Sequence, residues 1–357
     1  MLPLPDNTTA TRKRIVRKYK LSEFPDPRPF LHIRCGQDIL EKLDTAGIPG
    51  DKIRWTDTLC EGPLHRPRRE EIRQRERAAY LSGRFRVPFT ETFREIKGAD
   101  WRVTQCERYD ETLLWFEADL FDQVILVYLL DRLRPFAKET KISLICIGEF
   151  PGVRRFVGLG QLRPAQLAQL LPTRLPVTRR QFALGTEAWK AFTSRDPRNL
   201  LKLTRMRTKA LPFLPQAVGR YLAEYPSVHN GLGQTEQWVL EAIEPGARTA
   251  DSVFRRVHLR EARPFMGDAM LYAVIRDLAS GPAPALAGAA PRLERLDDRE
   301  LRDCPIWLTD MGRRLLRNQT DWFRESASIR QFGGVTLRGP HARWRWDART
   351  RSLRRFN

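Results

Sequence analysis

The segment from Leu113 to Gln123 constrains the fold most, because its hydrophobic period changes in the middle. Its first four residues, ending at Phe116, form an apolar run typical of a buried strand. From Leu120 onward, apolar residues recur at helical spacing, so Asp119 occupies the N-cap position of a helix. A strand that leads directly into a helix ends at the carboxyl edge of a sheet, where open α/β folds bind ligands.

Acidic side chains flank this predicted strand end. Glu117 and Asp119 are candidate catalytic residues, and Asp122 and Gln123 in the first helical turn are candidate ligand-binding residues. A structural interpretation is equally open. In that interpretation Asp119 only caps the helix, and Glu117 pairs with one of the many arginines.

The residues before this segment predict a βαβ unit. Residues 30–34 read as a strand, 38–46 as a helix that ends at Gly47, and 52–56 as a second strand. Such a unit implies parallel strands with a right-handed crossover. We therefore expect a Rossmann-like α/β domain over residues 30–160. The turn after the first strand has a single glycine, so neither standard nucleotide-binding loop is present.

Polar or acidic groups follow four predicted strands, whose carboxyl ends would share one edge of a parallel sheet. Converging carboxylates can hold a divalent cation, a candidate cofactor here, or perform acid–base chemistry. The candidate catalytic residues are Asp57, Glu117 and Asp119, and the candidate ligand-binding residues are Gln37, Asp38, Glu61, His65, Asp122, Gln123 and Glu149. Arg34, Arg154 and Arg155, together with His65, could hold a phosphate or simply neutralise these acids.

The formal net charge of +20 is the strongest global property of the chain. It favours a polyanionic partner, RNA or DNA, although an arginine-rich composition alone would also produce it. No apolar run reaches membrane-spanning length, so we expect no membrane association. The five cysteines form no CxxC pair, which favours reduced thiols and a cytoplasmic location.

Composition and periodicity divide the remaining chain. We expect a flexible basic arm over residues 1–29, a helical connector over 161–225, a winged-helix-like domain over 226–320 and a β hairpin tail over 321–357. The third helix of the winged-helix-like domain would expose Asp268, Tyr272, Arg276 and Asp277. That face lacks the residues needed to read bases, so phosphate contact and a pure packing role are both open.

Arginines beside that helix and in the tail are candidate nucleic-acid-binding residues: Arg255, Arg256, Arg313, Arg314, Arg343 and Arg345. In the tail, Trp344 and Trp346 would share one strand face and the two arginines the other. Alternating aromatic and basic residues can stack bases and contact phosphates. The alternative is a hairpin that buries its tryptophans and leaves the arginines in water.

Several motifs together resemble one bacterial family. They are Cys35-Gly-x-Asp, Trp55-x-Asp-x-x-x-x-Gly-Pro, Leu114-Trp-Phe-Glu-x-Asp-x-x-Asp-Gln and Gly158-Leu-Gly-Gln-Leu. This set resembles the domain-of-unknown-function 1835 family, and the likeness continues into its C-terminal partner, domain of unknown function 3658. The resemblance implies no activity. It also implies a His in a Glu-His-Asp motif, where this chain has Ala118.

These observations favour a nucleic-acid-associated protein that contacts the phosphate backbone and has an acidic cleft in its α/β domain. The first alternative is an enzyme that acts at this cleft on a nucleotide or another small phosphorylated molecule. The second is a non-catalytic scaffold that binds a protein partner. We further expect Asp57, Glu117 and Asp119 to line one cleft, and residues 235–316 to form a compact helical domain with a β-wing.

Overall fold

The computed structural model describes residues 29–67, 69–246, 248–326, 328–341 and 343–356. The predicted basic arm lies almost entirely outside these residues. The first sheet has five strands in the order β2-β1-β4-β5-β6. These strands are β1 (Phe30–Cys35), β2 (Asp51–Trp55), β4 (Glu111–Glu117), β5 (Lys141–Ile147) and β6 (Leu175–Pro176).

All neighbours in this sheet are parallel except the short edge strand β6, which is antiparallel to β5. The carboxyl ends of β1, β2, β4 and β5 therefore share one edge, as the strand order along the chain predicted. The chain is a mixed α/β protein.

Strand β4 lies at the centre of the sheet and every one of its residues is buried. Leu114 and Phe116 pack into one hydrophobic cluster, whereas Leu113 and Trp115 pack into another. Successive side chains of a strand point to opposite faces, so the continuous apolar run fills a core on each side of the sheet.

Eight helices accompany this sheet in the described residues. They are α1 (Leu40–Thr45), α2 (Glu70–Phe85), α3 (Phe89–Val103), α4 (Leu120–Leu133), α5 (Pro164–Leu170), α6 (Arg179–Phe192), α7 (Arg198–Thr204) and α8 (Leu214–Leu222). Helix α4 begins one residue after Asp119, as predicted. It is almost entirely buried and contacts both α6 and α8, which lie in the predicted connector.

A further hydrophobic cluster runs from Leu232 to Trp322. Its helices are α9 (Gln234–Ile243), α10 (Ala250–Arg260), α11 (Asp268–Leu278), α12 (Asp298–Asp303) and α13 (Asp310–Leu316). Its strands β7 (Arg248–Thr249), β8 (Leu286–Gly288) and β9 (Pro305–Leu308) form an antiparallel sheet in the order β7-β9-β8. Residues 235–316 thus supply most of this cluster.

Helix α11 exposes only two of the four residues that the sequence placed on its outer face, Asp268 and Asp277. Tyr272 and Arg276 are buried, and Arg276 pairs with Asp298 of α12. Asp277 is exposed but pairs with Arg84 of α2. Helix α11 contacts α2, α10 and α12. Helical periodicity alone does not show which of its residues these neighbouring helices bury.

The tail differs from the single predicted hairpin. It contains the short helix α14 (Trp322–Glu325) and two antiparallel pairs, β10 (Ile329–Gly333) with β11 (Val335–Arg338) and β12 (Trp344–Asp347) with β13 (Ser352–Arg355). A two-residue strand, β3 (Gly62–Pro63), runs parallel to β10. The tail therefore packs against the loop that follows β2. Within the described residues, no helix is both long enough and apolar enough to cross a membrane.

Candidate acidic site and basic surfaces

Arg34, near the end of β1, is the centre of the acidic site. Its guanidinium donates to Asp122 and to Glu117, and it forms a two-bond fork with Asp38 at 3.0 and 3.1 Å. Arg34 is only 4% exposed. The sequence left open whether Arg34 holds a phosphate or neutralises acids, and in the structure it neutralises them.

The backbone around the end of β4 fixes the other carboxylate oxygens. Asp119 accepts from the backbone N–H of Asp122 at 3.0 Å, which is the predicted N-cap bond. Asp122 in turn accepts from the N–H of Glu117 at 2.7 Å and from the Cys35 thiol at 2.6 Å. Gln123 donates to the carbonyl of Glu117 at 2.6 Å. The short segment after β4 is thus held by its own side chains.

A glycine-containing turn closes the site from the far side. The N–H of Leu159 donates to Oε1 of Glu117 at 2.6 Å. A Cβ on Gly158 would lie 2.7 Å from Oε2 of Glu117, and one on Gly160 would lie 2.9 Å from Asp38. Only glycine permits this close approach. The sequence showed these residues as a motif but gave them no role.

The acidic site contains four carboxylates and one arginine. Burial, together with the neighbouring charge of Asp122, raises the pKa of Glu117 to about 8 despite the pairing with Arg34. Burial and the charges of Asp122 and Glu117 also raise the pKa of Asp119 well above its usual range. Because Arg34 is shared, its single charge does not offset the desolvation of the whole group.

Three carboxylates here have the chemistry of a divalent cation site. Glu117, Asp119 and Asp122 are buried, and one oxygen from each lies within 4.8 Å of the others. Oxygen ligands in such a set suit Mg²⁺ or Mn²⁺. Arg34 already bonds to two of the three, so these residues fit a cation only if it shares them with the guanidinium.

Asp57 lies in a separate buried network. It accepts from Arg77 at 2.8 Å and lies 3.6 Å from Arg73, which also pairs with Asp100. It does not belong to the group formed by Glu117, Asp119 and Asp122. The expectation that Asp57 lines the same cleft is therefore not met. The reason is that two arginines of α2, spaced one helical turn apart, surround its carboxylate.

The remaining candidate ligand-binding residues do not converge on the site. Gln37 is exposed and bonds to Glu41 and Arg54. His65 is exposed, 3.7 Å from Glu76. Glu149 is exposed in the turn after β5.

Glu61 pairs with Arg84 at 3.2 Å, and burial raises its pKa. It lines a cavity of about 360 Å³ between α2, α11 and the tail, and Glu236 and Arg330 line the same cavity. Leu120 also lines this cavity, whereas Glu117, Asp119 and Asp122 do not.

Ala118 takes the position for which the resemblance implies a His. It is 3% exposed, and a Cβ on the adjacent Gly148 would lie 3.0 Å from that of Ala118 and 2.5 Å from a guanidinium nitrogen of Arg263. The space beside Ala118 is therefore filled. A basic group beside this position is Arg263, which also lies 5.0 Å above the Phe213 ring.

The candidate nucleic-acid-binding arginines have different environments. Arg256, Arg314 and Arg343 are exposed. Arg255 is exposed but pairs with Asp251 in the same helix, at 2.8 Å. Arg313 is exposed and donates to the carbonyl of Leu308 at 2.9 Å.

Arg345 differs from the other five, because it is 3% exposed and pairs with Asp321 at 3.0 Å. Trp346 is also buried, so both faces of β12 are covered, and the expectation that the arginine face lies in water does not hold for Arg345.

Comparisons with known proteins assign no family. No protein-family model matches the chain, and no curated protein matches it. Among solved structures, the chain is similar to the DNA-binding, cleavage and re-ligation domain of topoisomerase II from Plasmodium falciparum, with 11% sequence identity and a TM-score of 0.41. The alignment covers 79% of this chain and 47% of that one, so this chain spans about half of that structure.

Proposed function

We propose that the protein associates with nucleic acid and contacts the phosphate backbone through exposed arginines. The observation that carries this proposal is the distribution of charge between core and surface. Eight buried side chains are acidic (Asp57, Asp100, Glu111, Glu117, Asp119, Asp122, Glu236 and Glu261) and five are arginines (Arg34, Arg73, Arg77, Arg276 and Arg345). Among the described residues, burial thus removes more negative than positive charge, and the positive excess lies on the solvent-exposed surface.

Such a surface attracts phosphates without reading bases. Of the four predicted outward residues of α11, Tyr272 and Arg276 are buried and the two exposed ones are acidic, which supports phosphate contact by the neighbouring elements over base reading by α11. We propose Arg255, Arg256, Arg313, Arg314 and Arg343 as contacts, and we exclude Arg345 because it is buried. In this proposal the sheet of the first unit is Rossmann-like and residues 226–320 are winged-helix-like.

Fluorescence anisotropy tests this proposal directly. Labelled single-stranded RNA, single-stranded DNA and duplex DNA are titrated with protein over a salt series, and the integrity of each probe is followed on a gel. Binding that weakens steeply with salt is expected, because each phosphate contact releases counterions. Changing Arg255, Arg256, Arg313 and Arg314 together to Ala should flatten the slope. A lack of binding at physiological salt contradicts the proposal, and a co-purifying protein would then favour a scaffold.

The second candidate function is an enzyme that acts on a nucleotide or another small phosphorylated molecule at the acidic site. The grouping of Glu117, Asp119 and Asp122 within 4.8 Å favours it. A divalent cation held there would polarise a phosphoryl oxygen. In this chain, Arg34 would keep Glu117 and Asp122 in place, and Asp119 would be the least engaged ligand.

Asp119→Asn separates the chemical role of this residue from its structural one, because asparagine is as good an N-cap as aspartate. Mg²⁺ or Mn²⁺ should raise the melting temperature of the wild-type protein and should not raise that of the variant. Equal melting shifts in both proteins would remove the cation site. A hydrolysed probe whose cleavage the variant abolishes would assign the chemistry to this edge.

A further inference from the structure

We infer that a second basic surface, formed by α7 and the β12–β13 hairpin, binds the phosphate backbone of nucleic acid. This inference rests on the proposed function. Of the arginines proposed above as phosphate contacts, only Arg343 belongs to this second surface. It joins two parts of the chain that are about 150 positions apart.

Each of the two segments is strongly basic by itself. Residues 195–209 contain six basic side chains and one acid, and residues 343–356 contain six arginines and one acid. The basic residues are Arg195, Arg198, Lys202, Arg205, Arg207 and Lys209 in the first segment, and Arg343, Arg345, Arg349, Arg351, Arg354 and Arg355 in the second. All of them except the buried Arg345 are exposed.

The fold brings these segments together. Helix α7 contacts β13, and the Arg198 guanidinium lies 5.8 Å above the ring of Trp344. Trp344 is paired directly with Arg355 across the hairpin. Side chains directly opposite in an antiparallel pair share a face, so Arg355 lies on the Trp344 side of the hairpin. Lys202, one helical turn after Arg198, extends the same face of α7.

The few acids of these segments are already engaged within their own segment. Asp196 pairs with Arg198 at 2.6 Å, and Asp347 pairs with Arg354 at 3.4 Å. Lys202, Arg349 and Arg355 form no ion pair with any described residue. The two segments therefore keep a large positive excess, eleven exposed cations against two acids, and a regularly charged polyanion is the partner that complements it.

Trp344 gives this surface a fixed geometry. It is half-buried and packs against the main hydrophobic core, so its ring is held while one side remains in contact with solvent. A guanidinium above a fixed indole ring is restrained by cation–π attraction. Part of the surface is thus ordered before a ligand arrives, which lowers the entropic cost of binding.

A matched pair of triple variants tests the inference. In the first, Lys202→Ala, Arg349→Ala and Arg355→Ala remove three exposed cations that make no ion pair. In the second, Arg94→Ala, Lys138→Ala and Arg163→Ala remove three exposed cations from other elements, so the net charge falls equally. Affinity for a labelled single-stranded DNA 20-mer is measured by anisotropy from low to physiological salt, and unchanged circular dichroism confirms folding.

The first triple variant should bind roughly 10- to 100-fold more weakly at low salt, and the slope of log K against log salt should fall by about 2, because each single-strand phosphate contact contributes about 0.7. The second should stay close to the wild type. Equal losses of affinity in both variants, or no loss in the first, overturn the assignment of this surface. Binding by the wild type would in either case still uphold the proposed function. Displacement of the DNA by an equal charge concentration of polyglutamate would indicate an acidic protein partner and also overturn it. Failure of the wild type to bind any nucleic acid overturns both proposals.

Discussion

Arg34 and Asp122, 88 positions apart, are bonded in the buried interior at the carboxyl edge of the central sheet. Asp122 also accepts from the backbone of Glu117, so Arg34 is connected to the end of β4 both directly and through that carboxylate. This relationship gives the acidic site its shape. It makes the arginine a structural counterion for the carboxylates.

Replacing Arg34 with Met should strongly destabilise the protein, because it leaves Glu117 and Asp122 buried without their cation. We expect a loss of about 3–5 kcal/mol in the free energy of unfolding. Urea denaturation measures the loss. Arg54→Ala on the neighbouring strand is the control, since Arg54 and its partner Glu95 are both exposed and their pair contributes at most about 1 kcal/mol. Equal losses in both variants would contradict this account.

The raised pKa of Glu117 predicts a pH dependence of stability. Its protonated form is favoured in the folded state, so it stabilises the protein at low pH, and this contribution decreases as pH rises from about 4.5 to about 8. Glu117→Gln removes the titration. The free energy of unfolding of the variant relative to the wild type should increase as pH rises across that window, by up to about 1.4 kcal/mol per pH unit. A pH-independent difference would show that Glu117 is ionised throughout.

Gly158→Ala tests how closely the turn after β5 approaches the site. The added Cβ would lie 2.7 Å from a carboxylate oxygen of Glu117, so Glu117 or the turn must move. We expect a loss of about 1–3 kcal/mol, measured by thermal or urea unfolding. Gly98→Ala, inside α3 with open space around it, should instead stabilise by about 0.5–1 kcal/mol. Two variants with the same sign would be inconsistent with this geometry.

Arg343 and Arg345 lie two positions apart, but we expect their replacement to affect different properties, nucleic-acid binding for Arg343 and stability for Arg345. Arg345 is buried and paired with Asp321, so Arg345→Ala should lower the free energy of unfolding by about 2–4 kcal/mol. Arg343 is exposed, so Arg343→Ala should leave stability within about 0.5 kcal/mol and weaken nucleic-acid binding. Unfolding curves and anisotropy on both variants separate the effects. If Arg345→Ala weakened binding without changing stability, its assignment to the core would be wrong.

The local sequence pattern predicted the structure correctly where it depended on a single helix or strand and the residues at its ends. The change of period at Asp119 predicted the strand, the helix and the N-cap between them, because hydrophobic spacing and capping chemistry act within a few residues. The parallel strands, and hence their shared carboxyl edge, followed from the alternation of strand and helix along the chain. Glu117, Asp119, Asp122 and Gln123 were identified together for this reason.

The choice of partners was decided only by the tertiary structure. The sequence has many arginines of equal chemistry, and only packing brings Arg34 to Glu117 and Asp122, and Arg77 to Asp57. Strand alternation assigns opposite faces to Arg345 and Trp346 but does not tell which face meets solvent; here neighbouring elements cover both. Charge pairing and burial depend on residues distant in the chain. The sequence by itself therefore determined the elements and the edge of the sheet, whereas tertiary packing decided which charges are neutralised there and which remain exposed.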